Sequence, residues 1–203
     1  TTSFTRNGTG DVTTITDPLS HQTTLTYNAA GQPLTLTTPA GTTSFAYDLG
    51  DLVSVTDPLS QLTTRFYDAV GRLLRTTYPL GQSTRYEMDA LNATTKIIDA
   101  LGGETTFTYD ENRNLLTVTD ARSNATTYTY DNMDRVATRT DPLTNQETYT
   151  YDENGNLAEV TDRKGQVTAY AYDLIDRMTT VTYDDTSTTA YTYDAGDRLM
   201  EID

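Results

Sequence analysis

Residues 149–162 read YTYDENGNLAEVTD, and how they are read decides the fold. In isolation, Asp152, Glu153, Asn154 and Asn156 around Gly155 resemble the start of a calcium loop, although the later bidentate Glu of an EF-hand is missing. The same stretch recurs, respelled, along the whole chain. Anchored on the Tyr of each Tyr-Asp pair, it returns at Tyr27, Tyr47, Tyr67, Met88, Tyr109, Tyr130, Tyr151, Tyr172 and Tyr193, at intervals of 20, 20 and then 21 residues. One step back lies Arg6, with the register fixed by Phe4, Gly10, Val12, Ile15 and Pro18, so the 203 residues hold ten units. Self-similarity at such a period marks a repeat architecture. DENGN therefore reads as a turn rather than a ligand loop.

Two residues before the anchor stands an apolar or aromatic residue in nine units of ten, from Phe4 and Leu25 to Tyr170 and Tyr191, with Arg65 the exception. These two columns hold 16 of the 19 aromatics, and the positions between them are mostly Thr or Ala, as in Thr127-Tyr128-Thr129-Tyr130. Alternation of this kind predicts a strand with one aromatic and one hydroxyl face. Asp follows the anchor, as at Asp68 and Asp152. The fourth position is Gly31, Asp51, Gly71, Asn92, Asp134, Gly155, Asp176 or Asp197, with Arg113 out of pattern. Gly, Asn and Asp enter positive φ at least cost, so Asp-x-x-Gly predicts a short hairpin loop with Asp capping backbone N–H groups.

A second strand begins after the loop, at Leu73, Val136, Leu157 and Leu199, with a further apolar column at Ile15, Leu36, Ile97, Val118, Val160, Val181 and Ile202. Three residues separate these columns. Simple alternation would put them on opposite faces; a bulge or two buried faces would reconcile them. The strand then stops at Asp17-Pro18, Asp57-Pro58 or Asp141-Pro142. The predicted fold is all-β: a single array over residues 1–203 of tandem hairpins, forming an antiparallel meander that curls into a spiral sheet, shell segment or fibre. About twenty strands at roughly 4.8 Å each would run on the order of 95 Å, and no open sheet of that width stays flat. The aromatic face would be the core, covered by the next turn of the spiral or by another chain.

Composition narrows the function. Thr supplies 45 positions, hydrophobic residues only 35%, and Trp none, which fits pleated strands better than a thick aliphatic core. A net charge of −15 argues against nucleic acid or an anionic membrane as partner. Cys is absent, which rules out disulfides and thiolate metal sites, and no apolar run approaches the roughly 18 residues of a membrane span. The opening Thr-Thr-Ser-Phe and the uncapped ends predict an excerpt of a longer array, or a protomer whose terminal strands pair with copies of itself. The single His21 reads as a turn residue, because no second His and no Cys accompanies it. No catalytic, cofactor or metal residue is predicted. Sequons at Asn7, Asn92 and Asn124 are candidate glycosylation sites at about the frequency chance allows in so Thr-rich a chain. The Thr-rich faces could carry O-linked sugar, and ordinary strand propensity accounts for Thr better than ice-binding rows do.

The unit Tyr-Asp-x-x-Gly-Arg-Leu, as in YDAVGRLLRTTYPLG from Tyr67, resembles the YD or RHS (rearrangement-hotspot) repeat, and the resemblance spans the chain in ten copies. It implies a spiral β-sheet of hairpins. In bacterial toxins of that family the spiral is a hollow shell around a toxic C-terminal domain, and in teneurins a barrel on the cell surface. The family's shell-closing segment with its Asp-Pro cleavage site has no counterpart here, so autoproteolysis is not carried onto Asp57-Pro58. The resemblance implies a non-enzymatic, secreted or cell-surface scaffold whose partners are further repeats and an encapsulated toxin. The alternatives are a self-assembling filament protomer and a carbohydrate-binding surface.

Overall fold

The computed structural model describes all 203 residues, as twenty strands and no helix. No helix is long and apolar enough to cross a membrane. The chain divides into two units, residues 1–104 and 105–203. The first holds β1 (Ser3–Arg6), β2 (Val12–Thr16), β3 (Gln22–Tyr27), β4 (Pro33–Thr38), β5 (Gly41–Asp48), β6 (Asp51–Thr56), β7 (Leu62–Tyr67), β8 (Leu73–Thr77), β9 (Ser83–Met88) and β10 (Thr94–Ile98). Glu104, the last residue of the first unit, opens β11 (Glu104–Tyr109), and the second unit holds the rest of that strand with β12 (Leu115–Thr119), β13 (Ala125–Tyr130), β14 (Val136–Thr140), β15 (Gln146–Tyr151), β16 (Leu157–Thr161), β17 (Val167–Tyr172), β18 (Met178–Thr182), β19 (Thr188–Tyr193) and β20 (Leu199–Ile202). Within each unit every strand pairs antiparallel with its neighbours in sequence and packs against no other element.

The spacing of the apolar columns is resolved by a bulge. Tyr149 faces Val160, Thr150 faces Glu159, and Tyr151 faces Leu157, so Ala158 is the extra residue. Leu157 and Val160, three apart in sequence, thus share the face of Tyr151 and Tyr149. The same slip recurs between Thr5 and Arg6, Thr26 and Tyr27, Thr108 and Tyr109, and Ala171 and Tyr172. A bulge adds one residue to one strand of a pair and raises the local twist.

Both turns of the repeat share one geometry. In the first, the Asp152 N–H donates to the Asn156 carbonyl (2.9 Å) and the Gly155 N–H to the Asp152 carbonyl (3.1 Å). Asp152 Oδ1 accepts from the N–H groups of Asn154 (3.0 Å) and Asn156 (2.8 Å), and Gly155 has φ 93°. Asp68 does the same for Val70 and Arg72, each at 3.0 Å, with Gly71 at φ 80°. In the second, Asp141 Oδ1 accepts from Leu143 (2.9 Å) and Asn145 (3.0 Å), and Thr144 takes φ 68°. These are three-residue loops ending in a left-handed residue, with Pro142 at the position where its fixed φ suits a type I turn.

Two turns depart from this, and they account for the 20-residue intervals. β4 and β5 are joined by Pro39-Ala40 alone, with Thr38 facing Gly41. β5 and β6 are joined by Leu49-Gly50, at φ 50° and 99°. A two-residue hairpin of this type needs positive φ at both central positions. Asp51, expected in the left-handed region, is therefore drawn into β6, and Leu49 and Gly50 take that role. Arg113, out of pattern in sequence, still adopts φ 73°, because the hairpin on either side dictates its backbone.

Each unit is one layer thick, and its core is thin. Only Ala93, Val181 and Thr76 are buried, at 9%, 6% and 7% exposure. β5 shows the alternation: Thr43, Phe45 and Tyr47 are half-buried, while Thr42, Ser44 and Ala46 are exposed. Apart from Phe4, the aromatic side chains of the two columns are half-buried along a single face. The opposite face is lined with Thr, as where the hydroxyls of Thr129 and Thr138 pair across the strands at 2.7 Å.

Candidate functional site

The anchor tyrosines tie each repeat to the one before. Tyr151 donates its hydroxyl to the Val136 carbonyl at 3.0 Å, fifteen residues back on β14. Tyr27 donates to Val12 (2.8 Å), Tyr67 to Leu52 (3.1 Å), Tyr130 to Leu115 (2.8 Å), Tyr172 to Leu157 (3.0 Å) and Tyr193 to Met178 (2.8 Å). Tyr47 and Tyr109 occupy the same place at the ends of β5 and β11, half-buried like the others. The acceptor lies beside the bulge, where the ladder to the following strand has ended: β14 pairs with β15 only from Thr138 to Thr140. The phenol supplies the donor that the ladder lacks. Burial, and then the Asp110 and Asp152 charges, hold the Tyr130 and Tyr172 hydroxyls above their ordinary pKa, so they remain donors. This explains Tyr at the anchor, where the column two residues earlier admits Phe, Leu or Arg.

A second set of contacts runs along the first turns. Asp68, Asp131, Asp173 and Asp194 pair with Arg72, Arg135, Arg177 and Arg198 at 2.6–2.7 Å. Where the fifth position is Asn, its amide takes the place of the guanidinium, as from Asn114 to Asp110 at 3.1 Å. The far end of the same side chain reaches the left-handed residue of the next repeat. Arg72 donates to Asn92 Oδ1 (3.1 Å), Arg177 to Asp197 (2.7 Å), Asn114 to Asp134 (2.7 Å) and Asn156 to Asp176 (2.7 Å). Arg135 and Arg177 also stack on the rings of Tyr151 and Tyr193, 4.3 and 4.7 Å from the centroids. The left-handed position thus carries Asn or Asp for a second reason: it supplies an acceptor. Gly155 has none, and Arg135 Nη1 beside it is buried without a partner.

One charged cluster breaks the pattern of the aromatic face. Arg139 stands where neighbouring repeats carry Val118 and Val160, and it faces Glu147 across β14 and β15. Glu147 accepts from Arg139 Nη1 (3.2 Å), the Tyr149 hydroxyl (3.0 Å) and Arg163 Nε (2.8 Å), while Arg163 also reaches Asp141 at 3.3 Å. Burial pushes the Glu147 carboxyl up, and these three hydrogen bonds outweigh it, leaving its pKa below the ordinary value. Arg163 thereby braces two successive second turns. The signal available in sequence was the simultaneous loss of an apolar residue and a Thr from two columns that face each other.

The remaining candidates lie apart. His21 is exposed and bonds Asp17 Oδ2 through Nδ1 at 2.9 Å, which holds the Asp17 carboxyl below its usual range. Asn7, Asn92 and Asn124 are exposed in three separate turns. Asn7 Nδ2 donates to Asp11 (3.0 Å) and Asn124 Nδ2 to Asp120 (2.9 Å), so both amides take part in their own turns. No three His, Asp or Glu side chains stand close enough together to share a metal ion.

The RHS Repeat family model matches residues 6–43, 47–83, 67–92, 89–125, 114–146 and 151–188. The chain belongs to the RHS-repeat family. Its fold is that of part of the TcdB2-TccC3 crystal structure, with a TM-score of 0.79 and 18% identity, covering 99% of this chain and 12% of that one. The Tc holotoxin pore from Photorhabdus luminescens is similar over 100% of this chain and 14% of its own, with a TM-score of 0.61 and 17% identity. This RHS-repeat array therefore spans a small fraction of the structures it matches. No curated protein is significantly similar to it. The RHS repeats make it a repeat-based scaffold.

Proposed function

We propose that this array is a non-enzymatic wall segment of a shell on a secreted or cell-surface protein. The supporting observation is that the tie from Tyr151 to Val136 is remade with the same geometry at successive repeats, so each hairpin is held by its neighbour and the wall can extend one repeat at a time. The fold it shares with part of TcdB2-TccC3 supports the same reading. Its partners are further repeats of the same polypeptide and a C-terminal cargo domain. Electron cryomicroscopy of the full-length polypeptide tests this, with the repeats expected in the wall of a hollow particle. Fibres built by edge-to-edge joining of arrays would overturn it in favour of a filament protomer.

A further inference from the structure

On the hydroxyl face, the position before the anchor is otherwise Thr or Ala, and the position three before it is otherwise Thr, Ser or Ala. The position eight after the anchor, counted along the full-length turns, is otherwise Thr, Ser or Glu. Phe66, Arg75, Arg85, Glu87 and Lys96 are the departures, and they lie together on the neighbouring strands β7 to β10. Phe66 faces Arg75, Arg75 faces Arg85, and Glu87 faces Lys96. Lys96 is committed to Glu104 at 3.2 Å. Arg75 and Arg85 are both exposed, and neither has an ion pair or hydrogen bond; the one specific contact is Arg75 over the Phe66 ring at 5.8 Å.

Like charges directly opposite in a sheet destabilise it. Arg75 and Arg85 stand directly opposite each other with no carboxylate paired to either, in a chain of net charge −15 that has acidic groups available. Both guanidiniums are open to solvent, and guanidinium is a strong donor to carboxylates; beside them lies an aromatic ring that is 56% exposed. Glu87 and the acidic remainder of the chain repel a uniformly charged polyanion, which favours a ligand with sparse negative charge and apolar side chains between.

We propose that the hydroxyl face of β7 to β10 docks an acidic polypeptide segment, with Arg75 and Arg85 sharing its carboxylates and Phe66 packing against an adjacent apolar side chain. Fluorescence anisotropy of the array with a fluorescein-labelled peptide Glu-Leu-Glu-Ser-Glu tests it. Binding at about 50 mM salt is expected to weaken about tenfold in Arg75→Thr or Arg85→Thr, and similarly when the salt is raised to about 500 mM. Both variants are expected to melt at or above the parent temperature, because each removes the like-charge contact; a merely structural pair would not show that split. Arg122→Ser, in an exposed turn of another repeat, is expected to bind as the parent does. Absence of peptide binding at low salt, or variants that bind the peptide as tightly as the parent, overturns the proposal. So does tighter binding of a heparin oligosaccharide that the same substitutions abolish, which would assign the patch to a polyanion.

Discussion

Tyr151 donates its hydroxyl to the Val136 carbonyl at 3.0 Å, joining two repeats at a backbone acceptor beside the bulge, where the ladder to β15 has ended. The relationship makes a single oxygen atom the difference between a filler of the aromatic face and a tie between hairpins. Tyr151→Phe should therefore lower stability by about 1 kcal/mol, the ordinary cost of leaving one such acceptor without its donor. Tyr170→Phe, on the same face without that bond, should change it by less than about 0.5 kcal/mol. Urea denaturation of both variants checks this; equal effects would reduce the tie to packing.

The orphaned Arg135 Nη1 beside Gly155 gives a prediction of opposite sign. Gly155→Asp tolerates the left-handed backbone and supplies the oxygen that Asp197 gives Arg177 at 2.7 Å. Its stability should match or exceed the parent. Gly155→Val, with a β-branched side chain at φ 93°, should lose about 1–3 kcal/mol. A melting curve in which aspartate and valine destabilise alike would mean that the acceptor counts for nothing.

Gly41 combines two constraints. Its φ is 127°, and a Cβ there would lie 2.7 Å from the Pro58 Cβ in the neighbouring turn. Gly41→Ala should cost about 1–3 kcal/mol through that overlap. Gly81→Ala, also at positive φ but with open space around it, carries only the backbone strain and should cost less. Comparing the two denaturation midpoints separates overlap from strain.

Arg139 and Glu147 should behave as a pair. Arg139→Val takes one of three donors from the half-buried Glu147, and Glu147→Thr leaves Arg139 without its carboxylate, whereas the double variant restores the residue types of the neighbouring repeats. The singles should be destabilised by about 1–3 kcal/mol and the double should recover most of it. Additive losses in the cycle would deny the coupling.

Acid should loosen the turns. The side chains of Arg135, Asn124 and Asn145 hold the carboxyls of Asp131, Asp120 and Asp141 below their ordinary value. Backbone N–H groups four residues on do the same for Asp68, Asp162 and Asp194. A depressed folded pKa gives stability that is complete above the unfolded value of about 3.9 and is lost as pH falls through the lower folded values. Tm should hold from neutral pH to about pH 5 and decline below about pH 4. Because acid also relieves the net charge of −15, a slight rise before the decline fits; a Tm that climbs steadily to pH 2 does not.

The strands were legible in the sequence because Tyr149 and Tyr151 alternate with Thr at period two, and one face is visibly aromatic. The relation between Leu157 and Val160 was not, because a bulge has no residue signature of its own here: Ala158 is an ordinary strand residue. Left-handed positions with Gly or Asn were legible, but Arg113 and Thr144 were not, since the hairpin imposes their φ against their own preference. Asp51 misled for the converse reason, because the shortened loop beside it moved the constraint to Leu49 and Gly50. Arg75 and Arg85 showed only as departures from their columns; their apposition required the register of β8 and β9.

Because each hairpin leans only on the next, a change in one repeat is felt one hairpin away and then dies out. Globular cores spread the consequences of a substitution through many neighbours; this ribbon confines them. A local inscription, such as two arginines set face to face, can then be written into one stretch while the rest keeps its form. In such an architecture, novelty is a matter of address: which hairpin carries the altered residue decides what the surface offers there.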